Sequence, residues 1–332
     1  MELIHAKKNG TEIEMLVDPE ADIELGGEGQ YAHSMQFSFP ADTWDQSIGY
    51  GDLIYVPDTE IGGMVGEIHS STENNIVSVM ARTWRGMLDY KIIEPPAGAD
   101  YYSVSGELNT CIGRLLSGRF GSLFRASNDN TGVTVTNYQF DRYTTLLAGL
   151  DKMLQGVGYK LVIKYINTVT PGYVEVSAAP IVDYSQSIEL SQDYGLAFTV
   201  DDIRNGVNHL ICAGKGELKD REIIHLYVNN KGKIVNTKYY TGVDEVVAFF
   251  ENASAEGTEL RNSGIDHLKT VMNSKEIQMD ILSLQGGIGL GDVIGGRDYI
   301  TGLSLAQPIS NIVITITGGV ESRTYSIKGE ED

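Results

Sequence analysis

The chain has 332 residues, 42% of them hydrophobic and 21% charged, values that fit globular domains with buried cores and argue against disorder over most of its length. Its 45 Asp and Glu against 25 Lys and Arg give a net charge of -20, a surface that repels phosphate backbones and anionic lipid heads and so argues against nucleic-acid binding. The longest apolar run near the end, Ile309 to Ile316, is interrupted by Ser310, Asn311 and Thr315 and is too short to cross a bilayer, and Met1 to Gly10 lacks the apolar core of a secretory signal, so synthesis in a cytoplasm and no membrane insertion are expected.

The first stretch reads as strands. Met35 to Phe39 and Ile76 to Met80 alternate apolar and polar residues and are divided by Gly-rich and Asp-rich turns. Pro95-Pro96 then interrupts any strand or helix and marks an expected boundary, giving a first β domain over residues 1-95. Beyond it, Cys111, Ile112, Leu115 and Leu116 recur at helical spacing. So do Tyr143, Leu146, Leu147, Leu150, Met153 and Leu154, with Asp141 as the expected cap and Gly156 as the stop. Strands over Tyr159 to Ile166 and Tyr173 to Ala178 complete an α+β region assigned to residues 96-200. In residues 201-332, runs at Val207 to Ala213 and Ile223 to Val228 precede a turn at Asn229 to Gly232 and a returning run at Ile234. Helices are expected next, over about 242-274, from Val243 to Phe250 and from the stripe Leu260, Ile265, Leu268, Val271 and Met272, before closing strands. Cys111 and Cys212, each beside an apolar neighbour, read as buried free thiols.

The two β-rich ends resemble each other at a fixed spacing of 240 residues. Phe37 and Phe39 align with Ile277 and Met279, Gly51-Asp52-Leu53-Ile54 with Gly291-Asp292-Val293-Ile294, and Gly62 with Gly302. After a four-residue change in a loop, Asn75-Ile76-Val77 aligns with Asn311-Ile312-Val313. The shared unit is a Gly-Asp turn that admits positive φ and launches an apolar strand. Gly51, Asp52, Ile54, Gly62, Gly291, Asp292, Ile294 and Gly302 are therefore the candidate functional positions, as structural turns of a duplicated barrel unit.

Chemistry-bearing patterns are sparse. The six histidines have no pair at metal-ligand spacing. Gly286 to Gly291 is rich in glycine but leads into a strand rather than a helix and lacks the Lys and Ser/Thr of a phosphate-binding loop. Asp42 with Asp45, or Asp201 with Asp202, are the carboxylate pairs a glycan hydrolase would need, yet in a chain with 45 acids such pairs carry little weight. No catalytic residue, cofactor or metal is assigned.

Gly51-Asp52-Leu53-Ile54, Ala81-Arg82-Thr83-Trp84-Arg85-Gly86-Met87-Leu88, Asn205 to Leu210, and Leu290 to Asp298 with Thr301-Gly302 resemble stretches of siphophage and prophage tail hub proteins. That resemblance implies a β-rich α+β chain with two related tube-type β-barrel domains and an α+β domain inserted between them. It also implies a homotrimer at the tail tip or baseplate of a virion, whose six quasi-equivalent units adapt a sixfold tube to a threefold spike or fibre. The implied partners are the tail tube protein, the distal tail protein, the spike or fibre and the tape-measure protein, with DNA passing through the channel without specific binding. Acids lining the channel would repel that DNA. Many relatives continue into a cell-wall-cleaving or receptor-binding region. This chain stops at Asp332, so those activities are expected of a separate polypeptide. Two other readings remain open from sequence: a tail-associated cell-wall hydrolase acting through an acid pair, and a carbohydrate-binding tail protein using some of the 18 tyrosines and two tryptophans.

Overall fold

The structure is a computed structural model that describes residues 1–16, 19–27, 32–42, 44, 46–185, 196–203, 205–281, 287–297, 300 and 304–329. The N-terminal strands are β1 (Leu3–Ala6), β2 (Glu12–Leu16), β3 (Glu20–Gly26), β4 (Ser34–Pro40), β5 (Leu53–Tyr55), β6 (Gly62–Ser71) and β7 (Ile76–Thr83), followed by helix α1 (Trp84–Asp89). The middle of the chain adds β8 (Ser103–Glu107), α2 (Leu108–Leu116), β9 (Phe124–Ala126), β10 (Thr134–Gln139), α3 (Leu146–Gln155), β11 (Tyr159–Ile166) and β12 (Tyr173–Pro180). Then come β13 (Leu196–Ile203), β14 (His209–Ala213), β15 (Ile223–Val228), β16 (Ile234–Val235), β17 (Val247–Glu251), α4 (Gly257–Val271) and β18 (Ser274–Ile281). The last strands are β19 (Val293–Arg297), β20 (Ser304–Pro308), β21 (Asn311–Thr317) and β22 (Val320–Gly329). The chain forms two compact units, Met1–Ala197 with Met279–Lys328, and Phe198–Gln278.

In the larger unit the strands run in the hydrogen-bonded order β22-β21-β3-β4-β7-β6-β5-β1-β2, every neighbour antiparallel. Period-two alternation sets which face is covered. Ile312, Ile314 and Ile316 of β21 are buried, as are Val77, Val79 and Ala81 of β7. The sheet unites distant parts of the sequence, since Ile314 stands opposite Ile23. A second layer of packing joins this sheet to the middle segment. Tyr55, Trp84, Leu88 and Ile93 share one core with Leu108, Cys111, Leu150 and Tyr165, so apolar contacts run across Pro95-Pro96 without a break. The Tyr165 ring lies 3.9 Å from that of Tyr55 and 5.4 Å from that of Trp84.

The two helices of this segment follow the apolar stripes read from sequence. Cys111, Ile112, Leu115 and Leu116 of α2 are buried, as are Leu146, Leu147, Leu150, Met153 and Leu154 of α3, each aliphatic side chain contributing about 1.5–3 kcal/mol by leaving water. The start of α3 differs from expectation. Its cap is Thr145, whose hydroxyl accepts from the Ala148 N–H at 3.2 Å. Tyr143 sits at φ 57° with its ring exposed, ahead of the helix, and Asp141 pairs with Lys152 at 2.6 Å instead. Gly156 is the C-cap.

Glu107 caps α2 through the Thr110 N–H at 2.8 Å and also accepts from the N–H and hydroxyl of Thr131 at 3.0 and 2.8 Å. Burial works to raise its pKa, but these donors outweigh it and hold the carboxyl at about 2. Because the folded value is depressed, its stabilisation is present above the unfolded carboxylate range and is lost as pH falls towards 2. Glu107→Ala should therefore cost about 1–2 kcal/mol at pH 7, and the gap to wild type in urea melts should close on acidification. A gap independent of pH would refute this role.

The smaller unit contains a four-stranded sheet in the order β16-β15-β14-β17 with α4 on one face. Leu260 and Leu268 pack on Leu210, Cys212, Leu226 and Val228. Gly264 permits the approach, because a Cβ there would meet the Cys212 Sγ at 2.6 Å. The expected helix over Val243 to Phe250 is not one. Gly242–Asp244 is a single 3₁₀ turn, and β17 runs parallel to β14 with Val247 opposite His209. Its apolar residues alternate sides, Ala248 and Phe250 towards the core and Val247 and Phe249 exposed, which is the strand period. Both cysteines are free and buried. Among the described residues no helix is long and apolar enough to cross a membrane.

Candidate functional site

The candidate positions fall on two turns of the larger unit that are built bond for bond alike. In the first, Gly51 adopts φ +83°, which favours glycine. The Asp52 N–H donates to the Gly49 carbonyl at 3.1 Å, while the Asp52 Oδ2 accepts from the Gly49 N–H at 2.8 Å. Two backbone bonds tie the turn to the returning strand: Gly51 N–H to Val65 O at 2.8 Å, and Val65 N–H to Asp52 O at 2.9 Å. In the second turn Gly291 is at φ +82°. The Asp292 N–H donates to Gly289 O at 3.1 Å, and the Gly289 N–H donates to Asp292 Oδ2 at 3.0 Å. Gly291 N–H and Ile309 O are 2.9 Å apart, and Ile309 N–H and Asp292 O 2.8 Å.

Each aspartate is buried, Asp52 at 5% and Asp292 at 1% exposure, and each is neutralised by a lysine from elsewhere in the chain. Asp52 Oδ2 receives Lys7 Nζ at 2.8 Å and faces His5 Nε2 at 2.9 Å. Burial works to raise the Asp52 pKa, but the bonds from Lys7, His5 and the Gly49 amide more than offset it, and the carboxyl lies below its usual range. Asp292 is paired with Lys160 Nζ at 2.5 Å and also accepts from the Val182 N–H at 3.1 Å. Ile54 and Ile294, two residues past each aspartate, are fully buried.

The remaining pair does not correspond. Gly62 stands opposite Tyr55, and a Cβ there would meet Trp84 Nε1 at 2.5 Å. In the second copy the residue opposite Gly295 is Ala306, so Ala306 is the counterpart of Gly62, and Gly302 lies outside the described residues. The β19–β20 hairpin is longer than the β5–β6 hairpin, and a fixed spacing carries the alignment past that insertion in the wrong register. The alignment of Asn75-Ile76-Val77 with Asn311-Ile312-Val313 fails for the same reason: the matching bonds of Val65 and Ile309 set Asn311 against Glu67 of β6, whereas Ile76 opens the next strand, β7.

No protein-family model and no curated protein matches the chain. Among solved structures, the 43 kDa tail protein of prophage MuSo2 from Shewanella oneidensis aligns at a TM-score of 0.51 and 14% identity, over 98% of this chain and 98% of that one. Prophage tail protein gp18 from Listeria monocytogenes aligns at a TM-score of 0.48 with 14% identity, over 98% and 94% of the two chains. A chain of the phage P2 baseplate in its activated conformation aligns at 0.49 with 10% identity, over 98% of each. This chain has the fold of a phage tail protein.

Within that tail-protein fold, two further polar clusters exist that sequence spacing did not reveal. Arg85, 5% exposed, donates from Nε to Glu60 at 2.6 Å and from Nη2 to the Leu161 carbonyl at 3.1 Å, with Asp151 3.6 Å from Nη1. A pocket of about 300 Å³ borders it, lined by His33, Arg85, Asp151, Lys160, Gly291 and Ile309 among others, but both of its strong cations are already ion-paired. In the smaller unit His209 places Nδ1 2.6 Å from Glu245 and Nε2 2.8 Å from His225 Nδ1. These histidines are 16 positions apart and meet because β14 and β15 pair, a long-range fact no local motif encodes. Among the described residues no group of three His, Cys, Asp or Glu could hold a metal ion. Of the carboxylate pairs, Asp42 is exposed and receives Asn75 Nδ2 at 3.4 Å. Asp45 lies outside the described residues, as do the side chains of Asp201 and Asp202.

Proposed function

We propose that the chain is a structural hub at the tail tip or baseplate of a phage, prophage or phage-tail-like particle, without enzymatic activity of its own. Three copies, each supplying two related barrel units from its N-terminal (1-95) and C-terminal (201-332) parts, form a ring that adapts a sixfold tube to a threefold spike or fibre and leaves a channel for DNA. The observation that carries this reading is the pair of matching Gly-Asp turns, the mark of a duplicated unit inside a chain with a tail-protein fold. Duplication is what symmetry matching requires, because two equivalent units per subunit turn three subunits into six docking positions. The tail tube, distal tail, spike or fibre and tape-measure proteins are the partners of such a ring. The buried turn aspartates are saturated by lysine and backbone donors, which suits a fixed scaffold better than acid-base chemistry.

The test is the mass of the purified chain by light scattering, alone and mixed with its tail tube protein, together with negative-stain images. Threefold rings with a central hole are expected. A chain that stays monomeric beside every tail partner, or that clears a peptidoglycan suspension, would overturn the reading.

A further inference from the structure

The duplicated unit leaves one strand edge filled and its twin open. In the larger unit β21 is bonded on both edges, to β22 from Asn311↔Ser326 to Thr317↔Val320, and to β3 from Asn311↔Gly26 to Ile316↔Ala21. The matching turns set Ile309 in the place of Val65. From that anchor, Val65-Gly66-Glu67 crosses a bulge before Glu67 pairs with Met80, and Ile309-Ser310-Asn311 leads to the Asn311 pair with Ser326. Glu67–Ser71 of β6 is therefore the twin of Asn311–Thr315.

One edge of Glu67–Ser71 is bonded to β7, from Glu67↔Met80 to Ser71↔Ile76. On the other edge β5 covers only Gly62 to Met64, and among the described residues no strand pairs with the rest. Glu67, His69 and Ser70 are exposed there, the polar dressing that keeps a free edge from indiscriminate pairing. The strand that fills the twin edge is β3, whose own second edge is held by β4. β18 precedes the second turn as β4 precedes the first, and β13 is bonded to β18 while, among the described residues, no strand pairs with its other edge. Each chain thus holds one completed β3–β21 junction and the two complementary halves of another.

We propose that the outer edge of Glu67–Ser71 receives β13 of a second copy of this chain, repeating between subunits the antiparallel pairing that β3 and β21 make within each one. The contact is head-to-tail, so it closes into a ring when the rotation per subunit permits, and it supplies backbone bonds as the main recognition, with side chains setting register. This deepens the hub reading and rests on it.

The test uses the full chain assembled with its tail tube protein. His69→Cys is combined in turn with a cysteine replacing each residue from Ala197 to Asp202, and the assembly is oxidised; Cys111 and Cys212 are buried and serve as background. A ladder of covalent dimers and trimers is expected, confined to alternate β13 positions, because side chains of a strand face one side every second residue. In wild type, the amides of Glu67–Ser71 should exchange at least tenfold more slowly in the assembly than in the free chain. Rings that form with neither ladder nor protection would overturn this junction and leave the hub reading standing. A chain that never forms rings would overturn both.

Discussion

Asp292→Ala should destabilise the larger unit by about 3–5 kcal/mol, and Asp52→Ala by less, about 1–3 kcal/mol, although the two turns share every backbone bond. The difference lies in what each aspartate leaves behind. Lys160 is 14% exposed, so losing Asp292 strands an ammonium with little water, together with the Val182 N–H that the carboxylate also accepts. Lys7 is 43% exposed and can turn to solvent when Asp52 is gone, and His5 keeps Glu14 at 3.3 Å. Trp44 and Trp84, the two tryptophans, both belong to the larger unit, so guanidinium unfolding followed by their fluorescence reports it directly. The sign with pH is fixed by the Asp52 carboxyl lying below its usual range: its contribution is whole above about pH 4 and is lost as pH falls through the lowered folded value. The gap between wild type and Asp52→Ala should close over that window. Equal losses for the two variants at pH 7 would mean that the turn bonds dominate and the buried ion pairs do not.

These turns were legible in the sequence because their chemistry is local: a glycine at positive φ, then an aspartate that reaches back three residues to an amide. What the sequence could not show was everything set by distance. The lysines that neutralise the aspartates come from Lys7 and Lys160, and nothing in Gly51-Asp52 or Gly291-Asp292 points to them. An insertion in one hairpin is invisible to a constant offset, so neither the counterpart of Gly62 nor that of Asn75-Ile76-Val77 follows from spacing. The stretch Val243 to Phe250 is apolar enough to suggest a helix, yet its apolar residues alternate and β14 offers an edge for parallel pairing. The α3 stripe holds where tertiary burial enforces it and fails at the cap, where Asp141 and Thr145 both satisfy the local rule and only the fold selects Thr145. The His209–His225 contact required the β14–β15 register before it existed at all.

Arg85→Met should cost the larger unit about 3–5 kcal/mol, which for a unit of this size lowers its melting temperature by roughly 10 °C. The guanidinium is 6% exposed and holds three parts of the unit at once: Glu60 before β6, the Leu161 carbonyl in β11, and Asp151 in α3. Its planar fork reaches all three, which an ammonium cannot do, so Arg85→Lys should recover only part of the loss. Removing the cation takes from Glu60 and Asp151 the counter-charge they share in a partly buried space. Burial already pushes the Asp151 carboxyl up against the pull of Arg85, and without that pull it rises further. A carboxyl with a raised folded pKa binds its proton more tightly folded than unfolded, so the variant should gain stability as pH falls from 7 towards 5, opposite to the trend at Asp52. Adding Glu60→Gln and Asp151→Asn to Arg85→Met removes the stranded charges and should restore much of the stability at pH 7. A triple variant no more stable than Arg85→Met, with no gain on mild acidification, would show that Arg85 acts through packing of its alkyl stem rather than through the charges it gathers.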